Sequence, residues 1–316
     1  MIEGVTFFFE WEAAFLEWMQ GYAGPVLLTL ASFFTMFGEE ITVIGLLGFL
    51  YWCYDKELGK FVWINAMLAF LAGTLTKSAV LRRRPYMDHP GIECLRAVHP
   101  GTDIQDISIQ GYSFPSLHAA SSMNFYTSLL LSMKKWFWVI GGILVLGIGF
   151  SRMILGVHYP TDVFVGWLVG GGMMVVGCFL QKKIRNYLVF AGIFVLLGIP
   201  GWFYCSSQDF YAIYGIGIGS LLAFHIEEKW IHFANTRSII GCILRIAGGM
   251  AVFLLLSAVL KLLFSAELLL ASDFAEHLMR TLRYGIAVFV SVGLYPYLFR
   301  YMPGNTAENA ESFSEK

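Results

Sequence analysis

An all-α, polytopic membrane fold is what this sequence predicts, on two observations. Of its 316 residues 57% are hydrophobic and 14% charged, whereas a soluble domain carries about 25% charged residues. The chain therefore has too few ions to coat a water-facing surface, and its mean hydropathy of +0.66 says the same. The second observation is that the apolar residues gather into separate runs near the length, roughly 20 residues, that a helix needs to cross hydrocarbon.

Taken in order, residues 7–19 mix aromatics with Glu10, Glu12 and Glu17, an acidic amphipathic pattern that fits a helix resting on the membrane surface. An apolar stretch at 25–37 meets Gly38-Glu39-Glu40 and resumes over 39–54, so this segment is expected to lie along the interface and then turn inward. Further spans are expected at 61–81, 114–133, 136–155, 160–181, 186–204, 209–226, 238–263 and 282–301. The sequence thus divides into an interfacial helix (1–24), a first membrane block (25–181), a C-terminal membrane extension of three to four helices (182–302) and a polar, disordered tail (303–316). No basic n-region precedes an apolar run, the first Lys or Arg being Lys56, so no signal peptide is expected.

The cations orient these spans. One side collects Lys56, Lys60, Lys134, Lys135, Lys182, Lys183, Arg185, Lys229, Arg237, Arg300 and Lys316, and the other keeps Arg82, Arg83, Arg96, Arg280 and Arg283. The positive-inside rule makes the first side cytoplasmic, and Trp52, Trp63, Trp136 and Trp138 fall near that boundary as interfacial aromatics should. A formal net charge of −1 leaves no concentrated basic face for a nucleic acid. Of five cysteines, Cys53, Cys178 and Cys242 lie in apolar runs where packing is the expected role. Cys94 and Cys205 lie in loops, which leaves a bridge between them open.

Three short stretches carry ionisable groups at the ends of apolar segments, where such groups are costly and suspected of function. Lys77 and Arg84 are seven apart, two turns along one helical face, and Pro85 ends the helix by disfavouring helical backbone in its predecessor. Two cations aimed into one volume suit a phosphate dianion. Alone, they fit snorkelling residues at a membrane boundary equally well, as Arg82 and Arg83 also do. At Pro115-Ser116-Leu117-His118 a helix should begin. Its N-terminus, with the Ser116 hydroxyl, offers an anion site, and His118 stands where it can donate a proton to a leaving oxygen. Alone, this stretch reads as a helix cap and an interfacial histidine.

The third stretch is Ser151-Arg152 followed by His158 and Asp162. Pro160 opens a helix and Asp162 falls in its first turn, where a carboxylate is favoured. The carboxylate can hold one imidazole nitrogen of His158 and leave the other as a nucleophile, while Arg152 meets charge on the equatorial oxygens. A single His-x-x-x-Asp is usually structural. The spans put all three stretches in two outer loops on one side of the bilayer, and that agreement selects the phosphoryl-transfer reading.

In this order the motifs resemble the type 2 phosphatidic acid phosphatase superfamily over roughly residues 25–181, including the Gly38-Glu39-Glu40 turn and the Tyr51-Trp52-Cys53 boundary. The resemblance implies a six-helix-type membrane core, an outward site, no metal or other cofactor, and a phosphohistidine intermediate. It implies His158 as nucleophile, His118 as general acid, Asp162 as partner of His158, and Lys77, Arg84, Ser116, Leu117 and Arg152 around the phosphate. Leu117 departs from the pattern, which commonly has glycine there, and bears on substrate breadth. The expected substrate is a lipid phosphate monoester or a polyprenyl diphosphate held at headgroup depth. A lipid phosphotransferase with the same intermediate, and a transporter or scaffold with a vestigial site, are the competing readings. Outside the motifs, Gly170 to Gly172 and Gly215, Gly217 and Gly219 are expected at close helix contacts, and Arg245 is expected to snorkel.

Overall fold

A computed structural model of the chain describes residues 4–99, 101–263 and 272–304. Most of the tail read at 303–316, Lys316 included, lies outside them. Among the described residues all elements are helical, and β pairing is limited to one bridge between Val5 and Arg82. Among the described residues seven helical stretches are long and apolar enough to cross a membrane, and the bent pair Pro25–Met36 (α2) and Glu40–Tyr54 makes an eighth if it is one span. The break at Gly38-Glu39 turns the axis by 46°, as the charged interruption predicts. The remaining apolar run, expected at 114–133, forms the shorter helix Leu117–Leu130.

The chain falls into two compact units. The first comprises Met1–Val43, Leu68–Gly177 and Gly201–Ser207. It contains α1 (Glu10–Gly21), α2, the C-terminal half of α4 (Lys56–Val80), two short loop helices, α5 (Pro85–Asp88) and α6 (Ile107–Gln110), then α7 (Leu117–Leu130), α8 (Phe137–Ile154) and most of α9 (Pro160–Lys183). Both α2 and α7 pack on α8, and one apolar core joins Leu16 of α1, Ala31 of α2, Ala119 of α7, Ile154 of α8 and Val163 of α9. The first helix is therefore not merely a surface helix: Glu12, Ala13 and Leu16 are buried while Trp11 and Trp18 stay exposed.

Helix α9 meets α7 at its glycines. A Cβ on Gly170 would lie 2.2 Å from Ala120 O, and one on Gly166 would lie 2.6 Å from Ser116 O. Only Gly admits that approach. The neighbouring Gly172 has nothing within 4 Å, so the expected contact belongs to Gly166 and Gly170 rather than to the whole triplet.

The second unit comprises Ile44–Met67, Cys178–Pro200 and Gln208–Lys316. Here α10 (Tyr187–Gly198) packs on α12 (Gln208–Ile226), α12 on α14 (Asp273–Val288), and α13 (Ile239–Leu263) on α14. Gly215 and Gly219 bring α12 against the backbone of Thr281 and Gly285, while Gly217 makes room for the Phe194 ring. Trp52 and Trp63, read as interfacial, are buried instead. Nor does Arg245 snorkel: it is fully buried, and its Nη1 donates to Trp52 O and Ala234 O at 2.7 and 2.8 Å. Two carbonyls left over where a π turn and a loop interrupt the backbone ladder hold it there. Lys56 and Lys60 are not surface charges either, since both pair with the buried Glu227 at 2.8 and 3.2 Å. None of the five cysteines is in a disulfide, so the bridge left open between Cys94 and Cys205 is not formed.

Candidate active site

The three motifs meet within the first unit. Lys77 lies in the last turn of α4, which ends at Val80; Leu81 then turns the chain with φ of 55°, a conformation uncommon for leucine. Arg84 is consequently not two turns further along the same helix, as the spacing predicts. It stands in extended backbone just before α5, with Pro85 as the first helical residue. The N-terminal segment holds the turn, for Val5 N–H donates to Leu81 O at 2.8 Å and Arg83 N–H to Val5 O at 3.2 Å.

Both motif cations are buried. Lys77 Nζ donates to Tyr112 O at 2.7 Å. The Arg84 guanidinium donates to Gln110 O, Gly111 O and Val157 O at 2.8–3.1 Å. That last contact ties the first motif to the residue before His158. Arg152, in the last turn of α8, is buried too, with Nη1 donating to Thr35 Oγ1 at 2.8 Å and Nε without a partner among the described residues.

Ser116 caps α7, its Oγ accepting from Ala119 N–H at 3.4 Å, and its own N–H donates to the backbone oxygen of Asp162 at 3.0 Å. The close α7–α9 approach at Gly166 and Gly170 permits this link. Leu117 leans on α4 where Gly73 lacks a side chain; a Cβ there would lie 2.5 Å from Leu117 Cδ2. His118 is half-buried beside the bend that follows α2, 3.3 Å from where a Cβ on Gly38 would stand.

His158 Nδ1 stands 3.5 Å from Asp162 Oδ2. This is longer than a good hydrogen bond, and catalytic pairs often stand off so far before substrate binds. The same Oδ2 accepts from Tyr159 N–H at 2.8 Å, and Oδ1 accepts from Arg82 Nη1 at 2.7 Å. Burial, then the positive charges of Arg84, Arg152, Lys77 and His118, push the His158 pKa well below its ordinary 6.5. Arg152, Lys77 and Arg84 also act on His118, joined by Arg96. The convergence of the three motifs is geometric: Arg84 reaches Val157 O beside His158, and Ser116 N–H reaches Asp162 O. Three cations around two imidazoles, one imidazole facing a carboxylate, can bind a phosphate dianion and pass its phosphoryl group through a nitrogen.

The residues around the motifs were less legible. Arg82, which fits a snorkelling role in sequence, is fully buried between the Phe7 and Tyr159 rings, 4.5 and 3.9 Å from their centroids. It pairs with both Asp162 and Glu12 at 2.7 Å. Thr35 of α2 was likewise not foreseen at the site; Glu39, expected near it as a helix-start residue, pairs there with Arg96. One signal for Glu12 was available: three glutamates in α1 precede the first basic residue of the chain by dozens of positions, so a buried partner had to come from elsewhere.

Comparison with known proteins bears on what this site does. Residues 57–186 match the PAP2 superfamily and residues 211–307 match the PAP2 superfamily phosphatase transmembrane extension. The undecaprenyl-diphosphatase of Sulfolobus acidocaldarius is 31% identical over 167 residues, covering 50% of this chain and 75% of that protein. The decaprenylphosphoryl-5-phosphoribose phosphatase of Mycobacterium tuberculosis is 33% identical, covering 46% of this chain and 76% of its own length. The crystal structure of Aquifex aeolicus LpxE aligns with a TM-score of 0.46 and 25% identity, over 54% of this chain and 96% of that one. With its multi-pass helical fold, the chain belongs to the PAP2 superfamily and is a membrane-embedded hydrolase of phosphoric esters.

Proposed function

We propose that the enzyme removes phosphate from a lipid phosphate monoester or a polyprenyl diphosphate, at the extracytoplasmic face, through a phosphohistidine on His158 and without a metal. The observation that carries this reading is the meeting of the three motifs, Arg84 bonded to Val157 O, Ser116 N–H to Asp162 O, and Asp162 Oδ2 facing His158 Nδ1. The names of the matched relatives, which join polyprenyl and lipid phosphates to phosphatase activity, support a lipid substrate. The charge asymmetry of the loops supports the outward face.

In the first step the lone pair of His158 Nε2 attacks phosphorus, an N–P bond forms, and the bond from phosphorus to the lipid oxygen breaks as His118 gives that oxygen its proton. Lys77, Arg84 and Arg152 meet the charge on the three equatorial oxygens. Depressed proton affinity at His158 keeps the attacking nitrogen unprotonated at neutral pH. In the second step a water gives a proton to His118 and attacks phosphorus, the N–P bond breaks, and inorganic phosphate leaves with both histidines restored.

The test is phosphate release from a panel of lipid phosphates in detergent, with and without EDTA, for wild type, His158→Ala and His118→Ala. Release is expected to persist in EDTA and to fall by about 10³-fold or more in His158→Ala. Activity lost in EDTA would overturn the metal-free step, activity kept in His158→Ala would overturn the nucleophile, and label passed from donor lipid to acceptor lipid would make the enzyme a phosphotransferase.

A further inference from the structure

We infer that Glu12, in the N-terminal helix, is a positioning residue for the reaction: through Arg82 it fixes the Asp162 carboxylate behind His158, and its negative charge helps set the proton affinity of that imidazole. The inference rests on the proposed role of His158 as nucleophile.

Glu12 is buried, although it lies on a helix with exposed tryptophans on its other side. Its Oε2 accepts from Arg82 Nη2 at 2.7 Å and from Phe9 N–H at 3.0 Å; its Oε1 accepts from Thr161 Oγ1 at 2.6 Å and from Thr161 N–H at 3.0 Å. Arg82 Nη1 in turn donates to Thr161 Oγ1 and Asp162 Oδ1, both at 2.7 Å, and its Nε donates to Phe7 O at 2.9 Å. With Oδ1 of Asp162 held by Arg82, Oδ2 is the oxygen turned toward His158 Nδ1. A planar guanidinium gripped at both ends by carboxylates has one orientation available, so Asp162 cannot rotate without breaking the chain back to Glu12.

Charge points the same way. Behind His158 stand Asp162, Arg82 and Glu12, a buried set with one net negative charge. Lys77 from α4, Arg84 before α5, Arg152 from α8 and His118 from α7 act on the same imidazole. Removing the Glu12 charge leaves the rear set neutral against those cations. The imidazole then holds a proton less well, and its nitrogen becomes a weaker nucleophile. Glu12 bonds to Arg82, Thr161 and Phe9 rather than to Lys77, Arg84 or Arg152, so its loss should act on the chemical step and spare substrate affinity. A residue that only fastened α1 to the bundle would change the folded fraction and leave the pH profile of the folded enzyme where it was.

The experiment measures kcat, KM and the pH dependence of kcat/KM for the full chain in detergent, with short-chain phosphatidic acid as the probe, alongside thermal melting. The variants are Glu12→Gln, Glu12→Asp, Thr161→Val and His158→Ala. Glu12→Gln is expected to lower kcat about tenfold or more at nearly constant KM, the size of effect seen when a charge-assisted bond behind a catalytic group is lost. Its acid limb should move to lower pH by roughly half a unit or more, and Glu12→Asp, which keeps the charge, should restore the limb. A folded Glu12→Gln enzyme with wild-type kcat and acid limb would overturn the inference. Should Glu12→Gln not fold, Thr161→Val decides, since it removes the hydroxyl shared by Glu12 and Arg82: a drop in kcat of about threefold at constant KM is expected, and wild-type kcat overturns the inference. A fully active His158→Ala would instead sink the nucleophile itself, and the two failures are thereby distinguishable.

Discussion

Replacing Arg82 by leucine isolates the energetic role of the buried cluster. Arg82 is fully buried, stacked between two aromatic rings, and bonded to two carboxylates and a backbone oxygen. Leucine fills part of the volume but leaves Glu12 and Asp162 without their cation in a water-poor interior. Removing one partner of a buried ion pair costs about 3–5 kcal/mol. At about 2–4 °C per kcal/mol for a chain of this order of size, the melting midpoint should fall by roughly 6–20 °C. The assay is thermal unfolding or aggregation in a fixed detergent, with the double variant Arg82→Leu/Glu12→Gln alongside. Neutralising one orphaned carboxylate should recover about 1 kcal/mol or more, a coupling of the size neighbours in one network show. The pH dependence has a definite sign. Burial raises the Glu12 pKa, but bonds from Thr161 and Phe9 and the charge of Arg82 outweigh it and hold the carboxyl below its ordinary 4.5. Stability from a depressed carboxyl is present above the unfolded value and lost as pH falls through the folded one. The gap between wild type and Arg82→Leu should therefore narrow as pH drops below about 4.5. A single variant that melts within about 2 °C of wild type, or a double variant no better than the single, would refute the argument.

Two further outcomes follow from the geometry. Gly170→Val would set a Cβ 2.2 Å from Ala120 O and 3.1 Å from Ala120 Cα; α9 must then leave α7, costing about 1–3 kcal/mol and most of the activity by parting Asp162 from Ser116, whereas Gly172→Ala, with open space around it, should match wild type in both melting and phosphate release. The acid limb of kcat/KM should lie below pH 6.5, because the proposed nucleophile His158 must be unprotonated and burial with Arg84, Arg152, Lys77 and His118 keeps it so; a limb at or above 6.5 that disappears with His158 would contradict that field.

What could be read from the sequence was whatever local chemistry encodes. Apolar run length and charge scarcity define a helical membrane protein, since an apolar helix satisfies its own backbone in lipid. The break at Gly38-Glu39-Glu40, the helix starts at Ser116 and Pro160, and the ordered motifs are signals a few residues long, and the helices begin close to where those signals stand. The Lys77–Arg84 spacing misled because seven residues read as two helical turns, while Leu81 turns the chain before Arg84 is reached.

Pairing across the fold was not encoded locally. Glu12 and Arg82 are 70 residues apart and Arg82 and Asp162 are 80 apart, so in sequence one appears as a surface acid and the other as the first of three adjacent arginines. Arg245 and Trp52, 193 apart, were hidden for the same reason. A charge in a membrane protein can reach water by snorkelling or find an opposite charge inside, and composition is indifferent between the two. The sequence by itself determined which cations, histidines and carboxylate are candidates for phosphoryl chemistry. Tertiary packing decided which arginine would hold the carboxylate, because only the closing of α1 over the first motif takes Glu12 and Arg82 out of water together and makes each the other's cheapest partner.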